Sequence, residues 1–158
     1  MKILFLDIDS VMTVHDWNKA DPPRDEFDMI PFTPDCVDAL NEIVLETDCA
    51  IVLSSDHKHN HSLDTLQKIF EKNECISAPF DVTPTSKLYR ADNLDEGRAH
   101  EILLWLENNK NIIVDKWVAV DDLVLTIGQF SNQMKDHFVN TCDGIHLVKW
   151  KIIKILNG

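Results

Sequence analysis

The sequence predicts an α/β domain with a mainly parallel sheet, and three observations carry that prediction. Short apolar runs of strand length alternate with helically patterned segments, the order of a parallel sheet flanked by helices. The first run, Ile3 to Leu6, has no polar interruption, as expected of a strand covered on both faces. Three runs end in chemistry-bearing residues: Asp7 and Asp9, then Ser54, then Asp121 and Asp122. In such sheets ligands bind at the carboxyl ends of the strands, so this coincidence marks a candidate active site.

Each element has a local reason. Ile3 to Leu6 is the first strand, and Thr13 to Phe32 follows as a polar, aperiodic segment containing Trp17 and Pro22-Pro23. Leaving directly from the acidic strand end, this segment is expected to lie over the site as a loop or small flap, with His15 or Trp17 as candidate substrate contacts. Trp17 pinning the loop to the core is an equal alternative. Thr33-Pro34-Asp35 reads as a helix start, with a capping hydroxyl, proline in the first turn and an early acid. Val37, Leu40 and Val44 continue at helical spacing to about Thr47. Ala50 to Leu53 is a second buried strand, and Ser62 caps a helix whose buried side is expected to be Leu63, Leu66, Ile69 and Phe70. An edge strand is expected within Ile76 to Val82. A third helix is read over Gly97 to Asn109, a strand over Trp117 to Val120, a short strand at Phe138-Val139, and a closing amphipathic helix over Ile145 to Leu156.

At 158 residues the chain suits one domain, taken as 1–158. It is 44% hydrophobic and 27% charged, ordinary for a globular protein. No apolar run approaches a membrane span, and no N-terminal segment has the order of a secretory signal. With strand residues from position 3, the chain is expected to begin with its fold and to be cytoplasmic. The net charge of −12 argues against an extended nucleic-acid surface, though not against docking one phosphate or a strand end. Cys36, Cys49, Cys75 and Cys142 have no metal-ligand spacing and read as reduced thiols; none begins the Cys-x₅-Arg pattern of a thiol phosphatase.

Alternate residues of an extended chain point the same way, so Asp7 and Asp9 are able to converge. Two acids beside an apolar strand are costly without a cation between them, and a hard ion such as Mg²⁺ prefers carboxylate oxygens. Solvated turn acids are the alternative, weakened by the second acidic pair at Asp121-Asp122. His57, His59 and His61 would share a face on a strand and suit zinc; an exposed polar loop touching substrate is the stronger reading.

These residues resemble the haloacid dehalogenase (HAD) superfamily of phosphohydrolases. Asp7-Ile-Asp9-Ser-Val11 matches its D-x-D-x-[V/T] motif, Ser54 its strand-end hydroxyl, Arg98 its basic residue, and Val-Ala-Val-Asp121-Asp122 its closing acidic pair. The motifs occur in order across almost the whole chain. Gly97-Arg-Ala-His-Glu-Ile-Leu-Leu-Trp-Leu and Phe138-Val-Asn-Thr are similar to the small HAD domains of Swiss army knife RNA-repair proteins. Two departures stand out: Ser10 replaces the usual glycine after the second acid, and Asp56-His57-Lys58 stands where that group tends to have Trp-Arg.

The resemblance implies a Rossmann-like core and an Mg²⁺-dependent phosphatase. Asp7 would be the nucleophile forming an aspartyl-phosphate and Asp9 the general acid and base. Mg²⁺ would be held by Asp7, the Asp9 carbonyl, Asp121 and Asp122, and the phosphoryl oxygens by Ser54 and Arg98. Lys87 and Arg90 compete with Arg98 for the last role, and Asp122 has the alternative of capping the next turn. No interval has room for a folded cap domain, so an open site for a nucleotide or polynucleotide phosphomonoester, including a 3′-end, is expected. A small-metabolite phosphatase and a non-catalytic phosphate- or partner-binding module are the alternatives. Oligomeric state is left open.

Overall fold

The structure, a computed structural model, describes all residues except His15 and Trp17, so the expectations placed on those two lie outside the described residues. Five strands form one sheet: β1 (Lys2–Leu6), β2 (Ala50–Leu53), β3 (Asp81–Val82), β4 (Lys116–Asp121) and β5 (Phe138–Asn140). Their order is β3-β2-β1-β4-β5 and every pairing is parallel. The helices are α1 (Pro34–Thr47), α2 (Leu63–Lys72), α3 (Leu94–Asn108), α4 (Ser131–Met134) and α5 (Lys149–Asn157). This is the predicted α/β class. Among the described residues no helix is long and apolar enough to cross a membrane.

The central strand explains the layering. Leu4 and Leu6 face one apolar cluster with Leu40, Ile43, Leu66, Phe70 and Ile152 from α1, α2 and α5. Ile3 and Phe5 face the other, with Ala99, Ile102 and Trp105 of α3. The two-residue period thus divides one unbroken apolar run between two cores. Phe5 meets Trp105 edge-on at 5.5 Å.

Some boundaries differ from the sequence reading, for physical reasons. The third helix begins at Leu94 rather than Gly97, placing Arg98 in its second turn rather than at its start. Gly97 is not a boundary signal: a Cβ there would sit 2.3 Å from the Tyr89 Cα, so glycine is needed for close backbone approach. The closing helix is split into a 3₁₀ turn over Ile145–Leu147 and α5, because Val148 leaves helical geometry at φ −123°. Thr33 flanks α1, yet its hydroxyl does not cap it; Oγ1 instead accepts from the Val14 amide at 2.9 Å, tying down the start of the 13–32 segment. Ser62 does cap α2, accepting from the Thr65 amide. The 13–32 segment also inserts Met29 and Phe32 into the core.

Candidate active site

The sheet ladder runs just past the strand ends and fixes three side chains there. The Asp7 amide donates to Val120 O at 3.1 Å, and the Ser54 amide to Leu6 O at 2.9 Å. Asp7, Ser54 and Asp121 therefore sit at the carboxyl ends of the neighbouring strands β1, β2 and β4, all buried. Carboxylate oxygens of Asp7, Asp121 and Asp122 lie within 4.8 Å of one another, the only such cluster of potential ligands among the described residues. The three alternating histidines do not join one; His57 and His59 belong to a 3₁₀ turn over Asp56–His59, which removes the shared strand face that the zinc idea required.

Arg98 reaches this cluster from α3 and is only 3% exposed. Its Nη1 donates to Asp121 Oδ2 at 2.6 Å and lies 3.4 Å from Asp7 Oδ1. Nη2 meets Asp56 Oδ1 and the Tyr89 hydroxyl, each at 3.3 Å. Tyr89 donates in turn to Asp56 Oδ2 at 2.6 Å, and its ring lies 5.5 Å from the guanidinium carbon. Lys87 and Arg90, the rival cations, are exposed, and Arg90 pairs with Asp92. Arg98 is thus the cation among the three that the fold brings to the carboxylates.

The electrostatics follow from burial. Asp7 is pushed well above the usual carboxylate range, first by burial and then by Asp121, against the pull of Arg98. Burial likewise lifts Asp121 to about 7, with Arg98 again opposing. For Arg98 itself burial disfavours the charge, but Asp121 and Asp7 outweigh it and the net shift is upward. Tyr89 is raised to about 12 by burial and by its bond to Asp56.

Asp9 differs from Asp7. Its side chain is largely exposed, and Oδ1 lies 3.1 Å from His57 Nε2, the bond that holds its carboxyl below the ordinary range. Ser10 takes the left-handed conformation at φ +64°, where glycine is easier by about 1 kcal/mol. The turn forms even so, with the amides of Val11 and Met12 both donating to Ile8 O.

Sequence reasoning missed Asp56 and Tyr89, which orient Arg98, and the buried pair Lys58–Glu101 behind them at 2.5 Å. A signal was present for one of these: Glu101 stands three residues after Arg98 and four before Trp105, on the buried face of α3. A cavity of about 180 Å³ opens over the cluster, lined by Asp7, Asp9, Asp56, Tyr89, Arg98 and Asp122 among others.

The chain matches, over residues 3–148, the family described as the HAD domain in Swiss Army Knife RNA repair proteins. It belongs to that family. No curated protein and no solved structure matches it. Membership makes a HAD-type phosphatase the general class of this domain, a class that generally uses Mg²⁺. The donor set of the HAD domain fits such an ion: three carboxylates and no nitrogen or sulfur ligand, the preference of a hard cation. Two buried donors, Ser54 Oγ and Arg98 Nε, have no hydrogen-bond partner among the described residues, and orphaned buried donors call for a ligand or other explanation.

Proposed function

We propose that the domain is an Mg²⁺-dependent phosphatase that hydrolyses phosphomonoesters through an aspartyl-phosphate. The observation that carries this reading is the convergence of Asp7 with Asp121 and Asp122, beside a cavity that Asp9 also lines. An Asp7 oxygen attacks phosphorus, and the bond from phosphorus to the leaving oxygen breaks as Asp9 gives that oxygen a proton. In the second half, Asp9 takes a proton from water, water oxygen bonds to phosphorus, and the Asp7–phosphorus bond breaks to release phosphate. Asp7, Asp121, Asp122 and the Asp9 carbonyl are the residues to hold Mg²⁺, which supplies charge screening between nucleophile and phosphate. Ser54 Oγ and Arg98 Nε, without partners among the described residues, would donate to phosphoryl oxygens.

The substrate class we favour is a nucleotide or polynucleotide phosphomonoester, including a 3′-end. The family's description supports it, as does the lack of a folded domain in the 13–32 and 73–93 intervals among the described residues. A small-metabolite phosphatase is the second reading, favoured by the net charge of −12 and the four carboxylates around one small cavity. A cytoplasmic location belongs to the same proposal.

The test is a screen of phosphomonoesters, including nucleotides and 3′- and 5′-phosphorylated oligonucleotides, with and without Mg²⁺. Wild type should turn over at least one class only with the metal, and Asp7→Asn should abolish turnover with the fold retained by circular dichroism. Full activity in Asp7→Asn would reject Asp7 as nucleophile.

A further inference from the structure

Asp9 forms part of the wall of two cavities. One is the reaction cavity described above. The other, about 110 Å³, lies against the 13–32 segment and is lined by Asp9, Thr13, His57 and Arg24 on its polar side and by Met29 and Ile30 on its apolar side. A space of about 110 Å³ has room for several waters or a small ligand group. His57 holds the Asp9 carboxylate between the two spaces through the 3.1 Å bond to Oδ1.

The direction of the leaving group follows from the role of Asp9. A general acid must touch the oxygen it protonates, so the atoms bonded to that oxygen continue past Asp9, away from Asp7. The second cavity is lined by Asp9 and not by Asp7, which makes it the candidate space for those atoms. Its one permanent cation is Arg24, whose Nη1 donates to Asp28 O at 2.9 Å and whose Nε lies 3.9 Å from the exposed Asp28 Oδ1, while the Arg24 side chain stays 54% exposed. A guanidinium presents five donors in a planar fork that suits a carboxylate or phosphate. Its charge also reaches Asp9.

From this arrangement we infer that the second cavity is a leaving-group subsite, and that Arg24 selects phosphomonoesters whose leaving group carries a second oxyanion. The inference rests on the reading of Asp9 as the acid and deepens it by naming a substrate feature. Met29 and Ile30 pack the carbon skeleton, Thr13 and His57 offer polar contacts, and Arg24 meets the second anion.

Two matched pairs of substrates test this with Mg²⁺ present. Glycerol 2-phosphate against 2-phosphoglycerate differs by a carboxylate, and adenosine 3′-monophosphate against adenosine 3′,5′-bisphosphate differs by a phosphate. The expected result is a higher kcat/KM for the charged member of at least one pair, and about a tenfold fall in that ratio in Arg24→Gln. Arg24→Lys should lose part of the ratio, since it keeps the charge without the fork. Titrating Asp7→Asn and Asp7→Asn/Arg24→Gln with the preferred substrate gives a second readout, in which the double variant should bind more weakly. No preference in either pair, or a preference untouched by Arg24→Gln, overturns the subsite while leaving the phosphatase reading standing. No turnover of any of the four by wild type, together with none in the wider screen, overturns both.

Discussion

Replacing Lys58 by Met should be among the most damaging single changes available outside the carboxylate cluster. Lys58 Nζ lies 2.5 Å from Glu101 Oε1, 2.9 Å from Thr83 Oγ1 and 3.3 Å from Pro84 O. The side chains of the pair are 4% and 0% exposed. Methionine fills much of the same volume, so a cavity is not the main cost. What remains is a fully buried carboxylate that, among the described residues, keeps the Ser86 amide donating to Oε2 at 2.9 Å. Breaking a buried pair from one side costs about 3–5 kcal/mol. For a chain of this size each kcal/mol is worth roughly 2–4 °C, so Tm should fall by about 6–20 °C. The double variant Lys58→Met/Glu101→Gln removes both charges and keeps an acceptor for Ser86, so it should recover more than half of the loss. Urea melts of wild type, both single variants and the double variant close the cycle. A Lys58→Met variant within about 1 kcal/mol of wild type, or a double variant no better than the single, would refute the reasoning. Because Asp56 and His57 share the turn that Lys58 anchors, kcat should fall with stability.

Three further outcomes follow from the same geometry. Ser54→Ala removes a buried hydroxyl with no protein partner, so Tm should hold or rise while kcat/KM falls by about 10- to 100-fold; a stability loss with unchanged kinetics would mark the hydroxyl as structural. Gly97→Ala would ordinarily favour a helix by about 1 kcal/mol, but its Cβ would meet the Tyr89 backbone at 2.3 Å, so both stability and activity should drop; a more stable, fully active variant contradicts the packing. Asp7 and Asp121 have folded pKa values above their unfolded ones, Asp121 at about 7. Their contribution to stability is therefore present below about pH 4 and lost as pH rises toward 7 in the metal-free protein. Since a metal displaces those protons, the rise in Tm produced by Mg²⁺ should be larger near about pH 7.5 than near about pH 5, and equal increments at the two would refute the assignment of the ligands.

What the sequence made legible, and what it hid, divides along a physical line. Strands β1, β2 and β4 were visible because both of their faces are buried, which leaves apolar runs without interruption. Their ends were visible because polar residues stop those runs abruptly. The edge strand expected within Ile76 to Val82 is β3, only two residues long and paired with β2, so its pattern was too short to fix its bounds. Gly97 misled because a poor helix former usually marks a boundary, whereas here Tyr89 needs the missing Cβ more than the helix needs propensity. The alternating histidines fit the stronger reading, a polar non-strand segment, because the Ser55 side chain starts a 3₁₀ turn by accepting from the His57 amide.

The hardest part to read was the support around Arg98, and its invisibility has a cause. Asp56 and Tyr89 are separated from Arg98 by 42 and 9 residues, and Lys58 from Glu101 by 43. No local periodicity links such partners; only the closure of the sheet does. The same closure explains the arrangement of charge. Arg98 offers one guanidinium to Asp7, Asp121 and Asp56, which leaves the buried carboxylates short of positive charge while burial further disfavours their ionised forms. A divalent cation would make up that shortfall, while an additional protein cation at the same point would leave no room for it. On this argument the domain stores in its metal-free state an electrostatic imbalance that metal and phosphate together relieve. Arg98→Met, by worsening the imbalance, should strengthen the stabilisation by Mg²⁺ even as it removes turnover, and a weaker Mg²⁺ effect would show that Arg98 instead organises the ligands.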